Sequence, residues 1–98
     1  LSPLSSATWR QLQTNCFISP YRLSCLHPGL PPHCDTCGEP KSSLFHYLWE
    51  CLSPQAVPPI PHPTFSSWEA ALRTAQPAGQ KWLVDRALCE AKARGLLD

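Results

Sequence analysis

Ninety-eight residues make at most one domain. A chain of this size buries only about 60–65% of its unfolded surface, so its core alone is marginal and a staple of some kind is expected. A formal charge of +1, from eight basic and seven acidic residues spread along the chain, leaves no basic block that would mark a nucleic-acid footprint on composition alone.

In chain order, Ser5 or Ser6 is suited to cap a short helix over about Ala7 to Thr14, with Trp9 and Leu12 on one face and Asn15 as a left-handed stop. From Cys16 to His33 the residues Pro20, Pro28, Gly29, Pro31 and Pro32 predict a mostly extended connector anchored by Phe17, Ile18, Tyr21, Leu23 and Leu26, with room for one helical turn near Pro20 to Leu26. Cys34 to Gly38 reads as a tight turn, and Ser42 to Cys51 as a helix capped by Ser42 or Ser43 and carrying Leu44, Phe45, Leu48 and Trp49. Leu52 to Pro63 reads as a polyproline-like surface linker.

Ser66-Ser67-Trp68-Glu69 fits a capping box with Phe65 in the staple position, which predicts a helix from about Ser67 to Thr74 with Trp68 and Leu72 inward. Pro77 suits the first turn of a last helix. That helix runs to about Arg94 with Trp82, Leu83, Arg86, Ala87 and Glu90 near helical spacing, and Gly95 then Leu96 form a glycine stop with its apolar follow-on.

Six cysteines admit two readings, three disulfides in a secreted miniprotein or a metal site with thiols left over in a reducing compartment. Spacing favours the metal. In Cys34-x2-Cys37-x8-His46-x4-Cys51 a Cys-x2-Cys turn points two thiolates at one ion, and a following helix supplies two more ligands. Three Cys and one His close a tetrahedral zinc site with no position for water, which makes it structural rather than catalytic. His46 and Cys51, five apart, stand about 140° from alignment on an α-helix, so the helix should end near Glu50 with Cys51 just beyond it. Zinc binding contributes on the order of 10 kcal/mol in small peptides, against the few kcal/mol a core of this size supplies, so metal should decide whether the domain folds.

The remaining residues suggest less. Cys16, Cys25 and Cys89 read as buried or free thiols, and His27, His33 and His62 as loop histidines, with His33 beside Cys34 as an alternative donor. Trp9, Trp49, Trp68 and Trp82 can stack on single-stranded nucleic acid, but each sits at core spacing in a helix. No carboxylate cluster, nucleophile elbow or phosphate loop is present, so an enzyme is not expected, nor is a small-molecule substrate. The start has no basic leader with an apolar core, and no run is long enough to span a membrane, which points to an intracellular protein of cytoplasm or nucleus. The lack of any methionine suggests a piece of a longer reading frame.

The run Cys34-Asp-Thr-Cys37-Gly38, then Leu44-Phe45-His46-Tyr47-Leu48-Trp49-Glu50-Cys51, resembles the zinc motif at the tail of non-LTR retrotransposon reverse transcriptase polyproteins. The flanks Trp9-Arg10-Gln11-Leu12-Gln13-Thr14, Pro63-Thr64-Phe65-x2-Trp68-Glu69-Ala70-Ala71-Leu72 and Ala93-x-Gly95-Leu96-Leu97-Asp98 resemble the arthropod, particularly tick, copies of these elements. The resemblance implies a position after reverse transcriptase and ribonuclease H domains, and a role in binding template RNA or target DNA during target-primed reverse transcription. It places the zinc ligands on Cys34, Cys37, His46 and Cys51. The polymerase and nuclease residues are not in this chain.

The expectation is therefore a small, mainly α, zinc-stabilised domain. It comprises a helical N-terminal segment and connector (1–33), the Cys3His motif (34–51), a proline-rich linker (52–64) and a C-terminal helical pair (65–98) packing back through Trp68, Leu72, Trp82 and Leu83. Arg10, Arg22, Lys41 and Arg73 are the cations suited to phosphate contact. The weak net charge keeps open an architectural or protein-interaction module with no nucleic-acid contact.

Overall fold

Proline opens three of the helices, where its missing N–H has no intrahelical partner to lose and its φ is already helical. These are α1 (Pro3–Gln13), α2 (Pro20–Leu26) and α4 (Pro77–Ala93); α3 (Phe65–Leu72) and a π-helical turn (His46–Glu50) complete the architecture. The structure, a computed structural model, describes residues 2–34, 37–51, 58 and 60–97, and no strand occurs among them. Most of the expected proline-rich linker, 52–57 and Pro59, lies outside the described residues.

Two helix starts differ from expectation. α1 begins a full turn before Ala7, because Ser2 caps it by accepting the Ser5 N–H at 3.1 Å and Pro3 supplies the first helical position. Ser5 and Ser6 thus lie inside the helix. The cap of α3 is Thr64, not Ser66: Thr64 Oγ1 accepts the Ser67 N–H at 3.1 Å, and Ser67 Oγ accepts the Thr64 N–H at 3.2 Å. Tertiary structure selects this register, since Ser67 Oγ also accepts the Trp49 indole N–H at 2.8 Å. Phe65 is consequently the first helical residue rather than a staple, and its ring meets Phe45 edge-to-face at 5.3 Å.

The stops follow the sequence. Asn15 is left-handed at φ 58°, and Gly95 at φ 73° ends α4 with the Leu96 N–H returning to the Ala91 carbonyl at 2.8 Å.

α4, the longest helix, packs against α1, α3 and the π-turn. Leu83, Val84, Ala87 and Ala91 line its buried stripe and meet Trp9, Leu12, Phe17, Tyr47, Leu48, Trp49 and Trp68. Leu72 is partly buried against this core. Trp82, expected inside, is 49% exposed, whereas Trp68 is 4% exposed. The buried stripe passes through Leu83, so Trp82 sits on its rim, its ring perpendicular to that of Trp49 with centroids 5.9 Å apart and the Arg86 guanidinium 5.7 Å from its own centroid.

Arg86 shares the buried stripe. It donates from Nε to the Leu48 carbonyl at 2.7 Å and from Nη1 to the Pro58 carbonyl at 2.6 Å, tying α4 to the end of the π-turn, where helix carbonyls have no partner of their own. Burial pushes its guanidinium below the ordinary range, partly countered by the Glu90 carboxylate. Across the fold, Gln13 Nε2 donates to the Leu72 carbonyl at 2.9 Å and joins α1 to the end of α3. No helix among the described residues is long and apolar enough to cross a membrane.

Candidate metal centre

The first pair of ligands rests on a turn that glycine closes. Gly38 has φ +79°, and its N–H bonds to the Cys34 carbonyl at 3.0 Å while the Cys34 N–H bonds to the Glu39 carbonyl at 2.8 Å. A Cβ on Gly38 would meet nothing within 4 Å, so backbone conformation rather than space calls for glycine here.

The second pair comes from the helical segment that starts at Leu44. Ser43 caps it by accepting the His46 N–H at 3.4 Å, as the sequence suggests. The segment then widens into the π-turn, in which the Cys51 N–H bonds to the His46 carbonyl, five residues back, at 2.7 Å. Such i→i+5 closure stacks residues that an α-helix would set about 140° apart. The turn ends at Glu50 and Cys51 is extended (φ −84°, ψ 132°), as expected from the ligand spacing. Ligand spacing predicts where this helix ends but not its π geometry.

These two segments bring Cys34, Cys37, His46 and Cys51 together, with one ligand atom from each lying within 4.8 Å of all the others. Cys34 Sγ and Cys51 Sγ are 3.8 Å apart, and Cys37 Sγ is 3.2 Å from His46 Nε2. A tetrahedral ion with bonds of 2.3 Å to sulfur separates its sulfurs by about 3.8 Å, so the donor set and its spacing fit a metal of the zinc type. Cys34 and His46 are buried, Cys51 is half-buried and Cys37 is exposed, so the cluster faces solvent on the Cys37 side.

Glu50 orients the imidazole. Its Oε1 lies 2.8 Å from His46 Nδ1 and accepts that proton, which leaves the Nε2 lone pair aimed at the cysteines. Glu39, His46 and Glu50 form a second set of possible ligands, but both carboxylates are exposed and Glu50 is engaged with the far ring nitrogen. At Cys37 the Glu39 backbone N–H pulls the thiol pKa down, while lost hydration and the adjacent Cys34 and Cys51 outweigh it, leaving the thiol above its ordinary range. A divalent cation reverses this balance and displaces the protons.

Behind the cluster stands Tyr47, fully buried with its hydroxyl donating to the Ile18 carbonyl. Burial holds its phenol well above the ordinary range, despite the opposing charge of Arg94. Arg94, at the end of α4, lays its guanidinium 5.3 Å over the Tyr47 ring and donates from Nη1 to Cys34 Sγ at 3.7 Å. Burial lowers the Arg94 pKa, but the hydrogen bonds and charge of Cys34 and Cys51 more than offset that, leaving it raised.

Glu50 and Arg94 were not singled out from sequence. The spacing of Glu50, four after His46, carries a local signal for the first; nothing local links Arg94 to a cysteine 60 positions away.

None of the six cysteines is disulfide-bonded. Cys16, Cys25 and Cys89 are exposed rather than buried, and His27, His33 and His62 lie outside the ligand cluster. The cations expected to meet phosphate are distributed: Arg10 on α1, Arg22 on α2, Lys41 in the loop before the π-turn and Arg73 at the end of α3. Lys41 Nζ lies 5.5 Å over the Tyr21 ring, and Arg73 pairs with Glu69 at 3.7 Å.

Compared with protein-family models, curated proteins and solved structures, the chain matches none.

Proposed function

We propose that this chain is a structural zinc module, the tail of a non-LTR retrotransposon reverse transcriptase polyprotein, and that it binds template RNA or target DNA beside the upstream reverse transcriptase and ribonuclease H domains. The observation that carries the zinc reading is the convergence of three thiols and one imidazole within 4.8 Å, with Glu50 fixing the imidazole from behind. Such a set leaves a zinc ion no open coordination position, so its role is to hold the fold and not to activate water. The retroelement reading rests on the motif Cys34-x2-Cys37-Gly38 followed by His46-Tyr47-Leu48-Trp49-Glu50-Cys51.

A second reading, an architectural or protein-interaction zinc module, is favoured by the scatter of Arg10, Arg22, Lys41 and Arg73 over separate elements and by the net charge of +1. Metal analysis of the purified chain and a gel shift at two salt concentrations separate the possibilities. One zinc per chain is expected, together with binding to single-stranded RNA or DNA that weakens steeply between low and moderate salt. Zinc without any shift at low salt selects the interaction module; no bound metal overturns the zinc reading itself.

A further inference from the structure

The last helix carries charge where a helix packed into a core ordinarily carries none. Arg86 and Glu90 are 6% and 3% exposed, and Arg94, one further turn along, has a side chain only 9% exposed. At four-residue spacing these groups form one stripe of alternating sign. Arg94 Nε lies 3.5 Å from Glu90 Oε2, and Arg86 senses the Glu90 charge. The stripe sums to +1 and ends with Arg94 Nη1 on Cys34 Sγ.

Buried ions are costly unless each is compensated. Arg86 is held by two carbonyls, whereas Arg94 stands between the Glu90 carboxylate and Cys34, so its guanidinium brings positive charge up to the thiol cluster. A zinc ion held by three thiolates and a neutral imidazole carries a net charge of −1, opposite in sign to the guanidinium that meets it at Cys34.

We infer that Arg94 is a positioning residue of the metal centre, whose guanidinium neutralises the zinc–thiolate cluster through Cys34 and so makes docking of α4 and retention of metal one event. The inference rests on the zinc reading above. It also means that 34–51 is not a self-sufficient metal module, because part of the charge balance arrives from the far end of the chain. Arginine suits the position: it stays protonated even when buried, and its planar fork reaches Glu90 and Cys34 at once.

The test uses the full chain as wild type, R94Q and R94K, each loaded with cobalt(II) or zinc. Hydrogen bonding to a thiolate stabilises its lone pairs, so in R94Q the sulfur-to-cobalt charge-transfer band is expected at lower energy, with the ligand-field bands of tetrahedral coordination unchanged. Zinc affinity, read by competition with a chelator, should fall about tenfold, the lower end of the effect of removing a group that supports a ligand. R94K, which keeps the charge and loses the fork, is expected between the two on both measures.

A charge-transfer band that stays at the wild-type energy in whichever of the two variants folds and binds cobalt overturns the assignment. Should R94Q not fold, R94K decides alone. Wild-type protein that takes up no metal overturns the zinc reading instead, so the two failures are distinguishable.

Discussion

Glu50 is worth following at the level of single residues, because it touches no thiol and yet sets which nitrogen of His46 faces the cluster. Glu50→Gln is expected to leave the fold intact and weaken metal affinity about 10-fold, since the neutral amide holds the imidazole less firmly. A chelator-competition titration measures this, and unchanged affinity would show that the carboxylate plays no part. The exposed tryptophan offers a contrast of another kind. Trp68→Ala removes a 4% exposed ring from the centre of the core and should cost about 3–5 kcal/mol. Trp82→Ala, at 49% exposed, should cost well under half as much, read in the same urea denaturation of the metal-loaded protein.

At the scale of elements, caps and stops account for most helix boundaries, and prolines at first-turn positions do the rest. The start of α3 shows where local signals become ambiguous. Thr64, Ser66 and Ser67 are all competent caps, and the Trp49 indole on Ser67 decides among the registers. Thr64→Ala should therefore destabilise the domain by about 1 kcal/mol, while Ser66→Ala should change stability by no more than a few tenths. A larger loss at Ser66 than at Thr64 would instead place the cap at Ser66. The π-turn is the second such case. The four residues between His46 and Cys51 force a choice between ending the helix early and widening it, and the chain does both: i→i+5 closure up to Glu50, then an extended Cys51.

For the whole molecule, the candidate metal centre and the core draw on the same segment of chain. Leu44, Tyr47 and Leu48 are fully buried core residues of the same segment as His46, so on the zinc reading loss of the ion should loosen the core and not merely one loop. Chelation is expected to abolish most of the helical circular dichroism, with recovery on adding zinc; retained helicity without metal would refute the dependence. Acid should act in the same direction. The metal-free Cys37 thiol holds its proton more tightly than an ordinary thiol, whereas a metal-bound thiolate carries none. The metal-free state therefore binds more protons, and lowering the pH favours it, so zinc affinity and stability should fall together as pH falls. A stability that rises on acidification would contradict this sign.

The sequence by itself determined which three cysteines and one histidine converge, where their helical segment ends, the glycine-closed turn and the mainly helical class. Each depends on spacing or backbone preference within about twenty residues, and such constraints are written locally. Tertiary structure alone decided that Trp82 is rim and Trp68 core, that Thr64 caps α3, and that Arg94 reaches Cys34 across 60 positions of sequence. These depend on which face of one helix meets another. A buried charge on α4 acquires meaning only once its partner on a distant turn has been brought beside it.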